Sequence, residues 1–226
     1  MVQLRNTTLL LAGTKAGRGI LNWQLRPPEQ RAQTNKLPAS LDGLSTEWLA
    51  SEVRSGSSSV NPSAVHPNGV TSLDHVVVRT PTPARTFAAF SEALGQDMRG
   101  HRVTDKFEMG FFRFEGPLFA EVVGPPPHRD ADDATSSPNG GRGGGAPAGS
   151  AADVAASTRG MDAATFMGLA FVTQDMSRTQ AAFQHLGVNV ISEPKDAVQP
   201  GRRIASLRHK LLDVSVPTAF MTPHPA

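Results

Sequence analysis

Along this 226-residue chain, apolar and polar positions fall into two periodic blocks separated by stretches with no sustained period. The first block opens with Leu73-Asp-His-Val-Val-Val-Arg-Thr80, a β-branched run suited to a buried strand. Thr82 offers an N-cap, and Pro83 suits the first helical position. Phe87, Phe90 and Leu94 then lie at helical spacing on one apolar stripe, and Gly95 supplies a C-terminal stop. Residues 98–103, 107–114 and 118–123 read as further strands, with a turn at Glu115-Gly116-Pro117. The predicted order is strand, helix, then three strands.

The second block repeats that order. Residues 168–173 give the strand, Asp175 the cap, and Met176, Phe183 and Leu186 the buried side of a helix ended by Gly187. Residues 188–191, 203–208 and 214–221 supply the later strands. Thr82-Pro-Ala-Arg85 stands opposite Asp175-Met-Ser-Arg178, Leu94-Gly95 opposite Leu186-Gly187, and Pro125 opposite Pro223. Matches in this order predict an internal duplication.

The remainder is irregular. Residues 1–70 read as a poorly structured extension, with Pro27-Pro28, a serine tract at 55–59 and Asn61-Pro62. Leu44, Trp48 and Leu49 allow a helical turn or two within 41–53. Residues 126–165 read as a disordered, glycine-rich linker, because such composition buries too little apolar surface to offset its ordering entropy. The modules themselves span 71–125 and 166–223.

Composition narrows the chemistry. The chain has no cysteine and no tyrosine. Disulfides, thiol nucleophiles, zinc-thiolate sites and iron–sulfur clusters are therefore excluded, and any general acid or base is His, Asp, Glu or Lys. A formal net charge of +2 gives no case for a nucleic-acid partner, and no run is long enough to span a membrane. Residues 1–28 carry Arg5, Lys15, Arg18 and Arg26 without one acidic residue, which resembles a mitochondrial presequence. An unstructured extension of a cytoplasmic protein accounts for the same feature equally well. No phosphate-cradling glycine loop and no Gly-x-Ser-x-Gly elbow is present.

Leu73-Asp-His-Val-Val-Val-Arg-Thr-Pro81, Phe111-Phe-Arg-Phe-Glu-Gly-Pro-Leu118 and Phe119-Ala-Glu-Val-Val-Gly-Pro125 resemble the first module of glyoxalase-like proteins of the vicinal oxygen chelate superfamily. Met167-Gly-Leu-Ala-Phe-Val172 and Gln199-Pro-Gly-Arg-Arg-Ile-Ala205 are similar to the same group's second half. The resemblance implies an α+β fold in which two paired βαβββ modules form one curved mixed sheet with a central cup. It also implies a metal held in the cup by residues of the first and fourth strands of each module.

Carried over by position, those residues are His75 and Glu121 in the first module, a donor pair suited to Fe, Mn, Ni, Co or Zn. The second module offers Gly168 and Ala219, neither of which has a ligating side chain. A third donor would have to come from His101, Glu193 or a partner chain. A lone histidine near a strand start is ordinarily structural; the filling of both family positions together is what points to a ligand pair. Glu121 would then double as catalytic base. Phe111, Phe112 and Phe119 could line an apolar pocket, although aromatics on strands are more often core, and Phe112, Arg113 and Phe119 are the residues expected to contact substrate. The Arg202-Arg203 pair after Pro200-Gly201 could grip a carboxylate or phosphate, although arginines in a turn are usually exposed. The resemblance implies a metal-assisted lyase, isomerase or dioxygenase acting on a small oxygenated substrate. A non-catalytic small-molecule binder and a structural subunit are the alternatives, and a homodimer stays open.

Overall fold

The structure, a computed structural model, describes residues 1–28, 37–49, 66–114, 118–127, 157–158, 160–184, 190–197 and 199–225. The turn at 115–117, most of the linker, and Leu186 and Gly187 lie outside these residues.

The first module runs β6 (Val70–Arg79), α1 (Pro83–Leu94), β7 (Gly100–Val103), β8 (Glu108–Arg113) and β9 (Phe119–Gly124). The second runs β10 (Thr165–Thr173), α2 (Met176–Gln184), β11 (Lys195–Asp196), β12 (Arg203–Ser206) and β13 (Thr218–Met221). Together they make one eight-stranded mixed sheet in the order β11-β12-β13-β10-β6-β9-β8-β7. Each module places its first strand parallel to its last, and the two first strands, β6 and β10, pair antiparallel at the centre. The order is therefore symmetric about that central pair, as duplication requires.

The repeat reaches the loops. Thr86 and Thr80 share a 2.6 Å hydroxyl bond where β6 meets α1, and Thr173 and Thr179 share one of 2.7 Å where β10 meets α2. Gly95 ends α1 in the left-handed region at φ 61°, and Asp175 Oδ1 caps α2 by accepting from the Arg178 amide. Thr82 occupies the cap position of α1 but makes no side-chain capping bond.

In the second module, the edge strand among the described residues is Lys195–Asp196. Of the strand expected at 188–191, residues 188 and 189 lie outside the described residues, Val190 and Ile191 are buried, and Ile191 forms an isolated bridge with Leu207.

The described parts of the extension at 1–70 carry short strands that its composition does not announce. β1 (Val2–Gln3) and β2 (Thr8–Leu9) pair with each other, while β3 (Trp23–Leu25), β4 (Ser40–Leu41) and β5 (Leu44–Trp48) form a second small sheet. Residues 44–48 are thus strand, not helix. Leu25, Leu41 and Leu44 join Val78, Phe90, Phe112 and Val122 in one core cluster. Trp23 packs edge-on against Phe90, Phe114 and Phe166, at 5.9, 5.5 and 4.9 Å between centroids. Asp42, in the β4–β5 turn, pairs with Arg85 at 2.7 Å and bonds Thr86, placing a carboxylate at the start of α1. Strands of two to five residues carry too little period to be read, and their order comes from this docking. No helix among the described residues is long and apolar enough to cross a membrane.

Candidate active site

Strand alternation divides β9 cleanly. Ala120 and Val122 face the α1 side of the sheet, whereas Val123 lies on the other face with Val77, Met109 and Phe111. Glu121 shares parity with Val123, so its carboxylate enters the concave face.

On β6 the alternation breaks. Ala170 pairs with His75 but Phe171 pairs with Leu73, leaving Asp74 as an extra residue. This is a β-bulge, which re-aims side chains locally. Leu73 and Val76 consequently enter the same core cluster although they are three residues apart. Asp74 and His75, neighbours in sequence, meet: Asp74 Oδ2 lies 2.8 Å from His75 Nδ1. His75 Nε2 lies 3.6 Å from Glu121 Oε2. The expected convergence of His75 and Glu121 is thus present in the geometry.

The fourth member comes from the second module. Arg202, immediately before β12 and 1% exposed, donates from Nη2 to Asp74 Oδ1 at 2.6 Å and from Nη1 to Asp74 Oδ2 at 3.3 Å. Asp74, His75 and Glu121 are 5, 5 and 6% exposed. Charges alternate along the chain Arg202–Asp74–His75–Glu121. Two buried atoms in it, His75 Nε2 and Glu121 Oε1, lack a hydrogen-bond partner. Unsatisfied buried polar atoms are costly, and two of them side by side mark a place where a ligand atom would be welcome.

The ionisation states follow from this arrangement. Burial alone would raise the Asp74 carboxyl, but bonds from His75 and Arg202 outweigh it and hold the group at about 2. Burial would lower His75; the Asp74 bond and the charges of Glu121 and Asp74 prevail and push it up. Burial pushes Glu121 up, only partly countered by His75. Both shifts favour the protonated form, in His75 through its two carboxylate neighbours and in Glu121 through burial.

The other expected residues divide. Phe119 pairs with His75 in register and lies under the Arg113 guanidinium, 5.8 Å from ring centroid to Cζ. Phe112 does not reach the cup. It is fully buried on the opposite face against Phe87 and Phe90. Adjacent residues of a regular strand point to opposite faces, so of this pair Phe111, opposite Glu121 in register, lies on the concave side. His101 pairs with Glu108 at 2.8 Å and meets the Phe87 ring, on the helix side. Glu193 is exposed in a loop. Neither joins the His75–Glu121 pair.

Sequence reasoning missed Asp74 and placed Arg202 in an ordinary exposed turn. Strict alternation sends Asp74 to the wrong face, because a bulge is invisible in the pattern. One signal was available: an Asp inside an apolar strand needs a cation, and Arg202 was named as a carboxylate grip.

The second module's counterpart positions follow from register. Val77 pairs with Glu121 and Ala170 with Ala219, so Ala170 corresponds to Val77 and Gly168 to His75. A Cβ on Gly168 would lie 2.6 Å from the Pro217 carbonyl oxygen, so no side chain fits there without backbone movement. A shallow recess lined by Val77, Met167, Gly168 and Ala219 occupies that half of the concave face. No group of three His, Asp or Glu side chains able to hold a metal occurs among the described residues.

Comparisons with known proteins agree with the architecture. A family model described as a glyoxalase-like domain matches residues 73–224. Methylmalonyl-CoA epimerase from Mycobacterium tuberculosis superposes with a TM-score of 0.50 at 15% identity, covering 73% of this chain and 96% of that one. A Streptomyces coelicolor methylmalonyl-CoA epimerase variant in complex with 2-nitronate-propionyl-CoA gives 0.49 at 16% identity, over 69% of this chain and 99% of that one. No curated protein matches the sequence.

Proposed function

The chain belongs to the glyoxalase-like domain family of the vicinal oxygen chelate superfamily, and from that premise we propose an enzyme that moves a proton at a carbon beside a carbonyl in a small oxygenated substrate. The observation that carries this reading is the unpartnered pair, His75 Nε2 and Glu121 Oε1, buried on the concave face. Glu121, raised by burial, is a stronger base than a solvent-exposed carboxylate. It takes the substrate's C–H proton as the electron pair moves onto the carbonyl oxygen. His75, raised by Asp74 and Glu121, offers its Nε2 proton to that oxygen and stabilises the enolate charge. Phe119 and Phe111 would flank the substrate's apolar part. Protonation on return gives an isomerised product, so isomerase is the reaction class favoured over lyase or dioxygenase.

The donor set does not fit a resident divalent ion. His75 and Glu121 supply two donors, the counterpart positions are Gly168 and Ala219, and Gly168 has no room for a side chain. The proton-transfer route therefore uses only the chain's own groups. A metal-assisted reaction is the second reading, favoured by one observation: a carboxylate orienting Nδ1 of a histidine whose Nε2 is free is also the outer arrangement of many metal-bound histidines.

Solvent-deuterium exchange read by proton NMR tests the proposal, with methylmalonyl-CoA and simple 2-hydroxyketones as probes. Exchange by the wild-type protein, lost at least a hundredfold in Glu121→Gln and His75→Gln, is expected. Exchange unaffected by Glu121→Gln would sink it. Stoichiometric divalent metal in the purified protein, lost in His75→Ala, would favour the second reading.

A further inference from the structure

We infer that Asp74 and Arg202 form a positioning pair that fixes the His75 ring, holding Nδ1–H on Asp74 so that Nε2 is aimed at Glu121. The inference deepens the proposed function and rests on it for its purpose, but its geometry stands alone. The bulge in β6 turns Asp74 onto the same side as His75. Without the extra residue the carboxylate would point into the apolar cluster that holds Leu73 and Val76.

Arg202 is over-determined. Its Nε donates to the Thr222 carbonyl at 2.7 Å, its Nη1 donates to Gln199 Oε1, and Nη1 lies 3.2 Å from His224 Nε2. The fork that remains grips both oxygens of Asp74. A planar guanidinium held on three sides fixes the plane of the carboxylate it grips, which a lysine ammonium cannot do. Asp74 in turn can accept the Nδ1 proton along only one direction. The imidazole is left with one orientation and one free nitrogen, the logic by which an orienting carboxylate serves a working histidine in a triad.

The device is also economical in charge. Two negative and two potentially positive groups alternate, so none is buried beside a like charge without an intervening opposite one. Neither Asp74 nor Arg202 would touch substrate, and their effect would pass through His75.

The test is the Nδ1–H proton of His75, observed in protein labelled with 15N-histidine. A downfield resonance, slow to exchange with water, is expected in the wild-type protein and absent in Asp74→Asn. Arg202→Met should lose it as well, provided its amide spectrum shows the native fold. Because a buried arginine can be required for folding, Arg202→Lys is the second variant. It keeps the charge without the fork and should speed exchange of this proton roughly tenfold. A merely structural arginine would lower stability and leave the resonance where it is. An unchanged resonance and exchange rate in folded Arg202→Lys would overturn the inference. Failure of the proposed function would be seen elsewhere, as proton transfer surviving Glu121→Gln, with the Nδ1–H signal still dependent on Asp74 and Arg202.

Discussion

Acidification should reveal how much of the fold's stability passes through Asp74. Its carboxyl titrates near 3.8 when free and at about 2 in the folded protein. A group depressed on folding stabilises the fold above its unfolded value and loses that contribution as pH falls through its folded value. The shift corresponds to about 2 kcal/mol at pH 4.5 and above, and to less than 1 kcal/mol at pH 2.5. Asp74→Asn supplies the reference, because the amide does not titrate. Urea denaturation of both proteins at pH 7, 4.5 and 2.5 gives the difference in unfolding free energy at each pH. That gap should be about 3 kcal/mol or more at pH 7, since Arg202 is left buried without its carboxylate. It should narrow by roughly 1.5 kcal/mol between pH 4.5 and 2.5. His75 and Glu121, both raised, hold their protons across that window and leave the difference to Asp74. A gap that stays constant to pH 2.5 would refute the claim that Arg202 and His75 hold Asp74 ionised.

Glu121→Gln should abolish proton transfer and should gain stability relative to wild type as pH rises, because a raised, buried carboxyl costs stability once it ionises and the amide does not titrate. Thermal melts of both proteins between pH 4 and 8 check this; a stability difference that does not move in the variant's favour from pH 4 to 8 would contradict it. Trp23→Ala should cost about 3–5 kcal/mol by chemical denaturation, since the ring meets Phe90, Phe114 and Phe166; a loss under 1 kcal/mol would show the N-terminal sheet to be loosely attached.

The module fold was legible because its signals are local and redundant. Pro83 and Gly95 bracket α1, β-branched runs mark β6, and the same order recurs after the linker. His75 and Glu121 were legible through the family positions and strand parity. Asp74 and Arg202 were not, because a bulge shifts parity by one residue and their contact spans 128 positions. Of the phenylalanines expected to line a pocket, alternation assigns Phe111 to the concave face and Phe112 to the opposite one. The N-terminal strands escaped notice for a different reason. Leu25, Leu41 and Leu44 are buried in the cluster that holds α1 and β9, from strands of three, two and five residues, too short for a period to stand out in the sequence.

Duplication usually gives two equivalent half-sites, but here the halves have separated in what they supply. The first module contributes the groups proposed to react, His75 and Glu121, and the second contributes at the matching positions only Gly168 and Ala219. Gly168 is closed by the Pro217 carbonyl, so a histidine placed there would not rebuild a four-donor site. The second module instead sends Arg202 across the shared sheet to Asp74. The pairing of β6 with β10 makes this reach possible, because it sets the bulge at Asp74 beside the second module's own strands. A salt bridge serving stability alone would need only to neutralise Arg202, whereas this one also presents Asp74 Oδ2 to His75 Nδ1 at 2.8 Å. What the second module supplies to the proposed site is thus an orientation for His75 rather than a ligand.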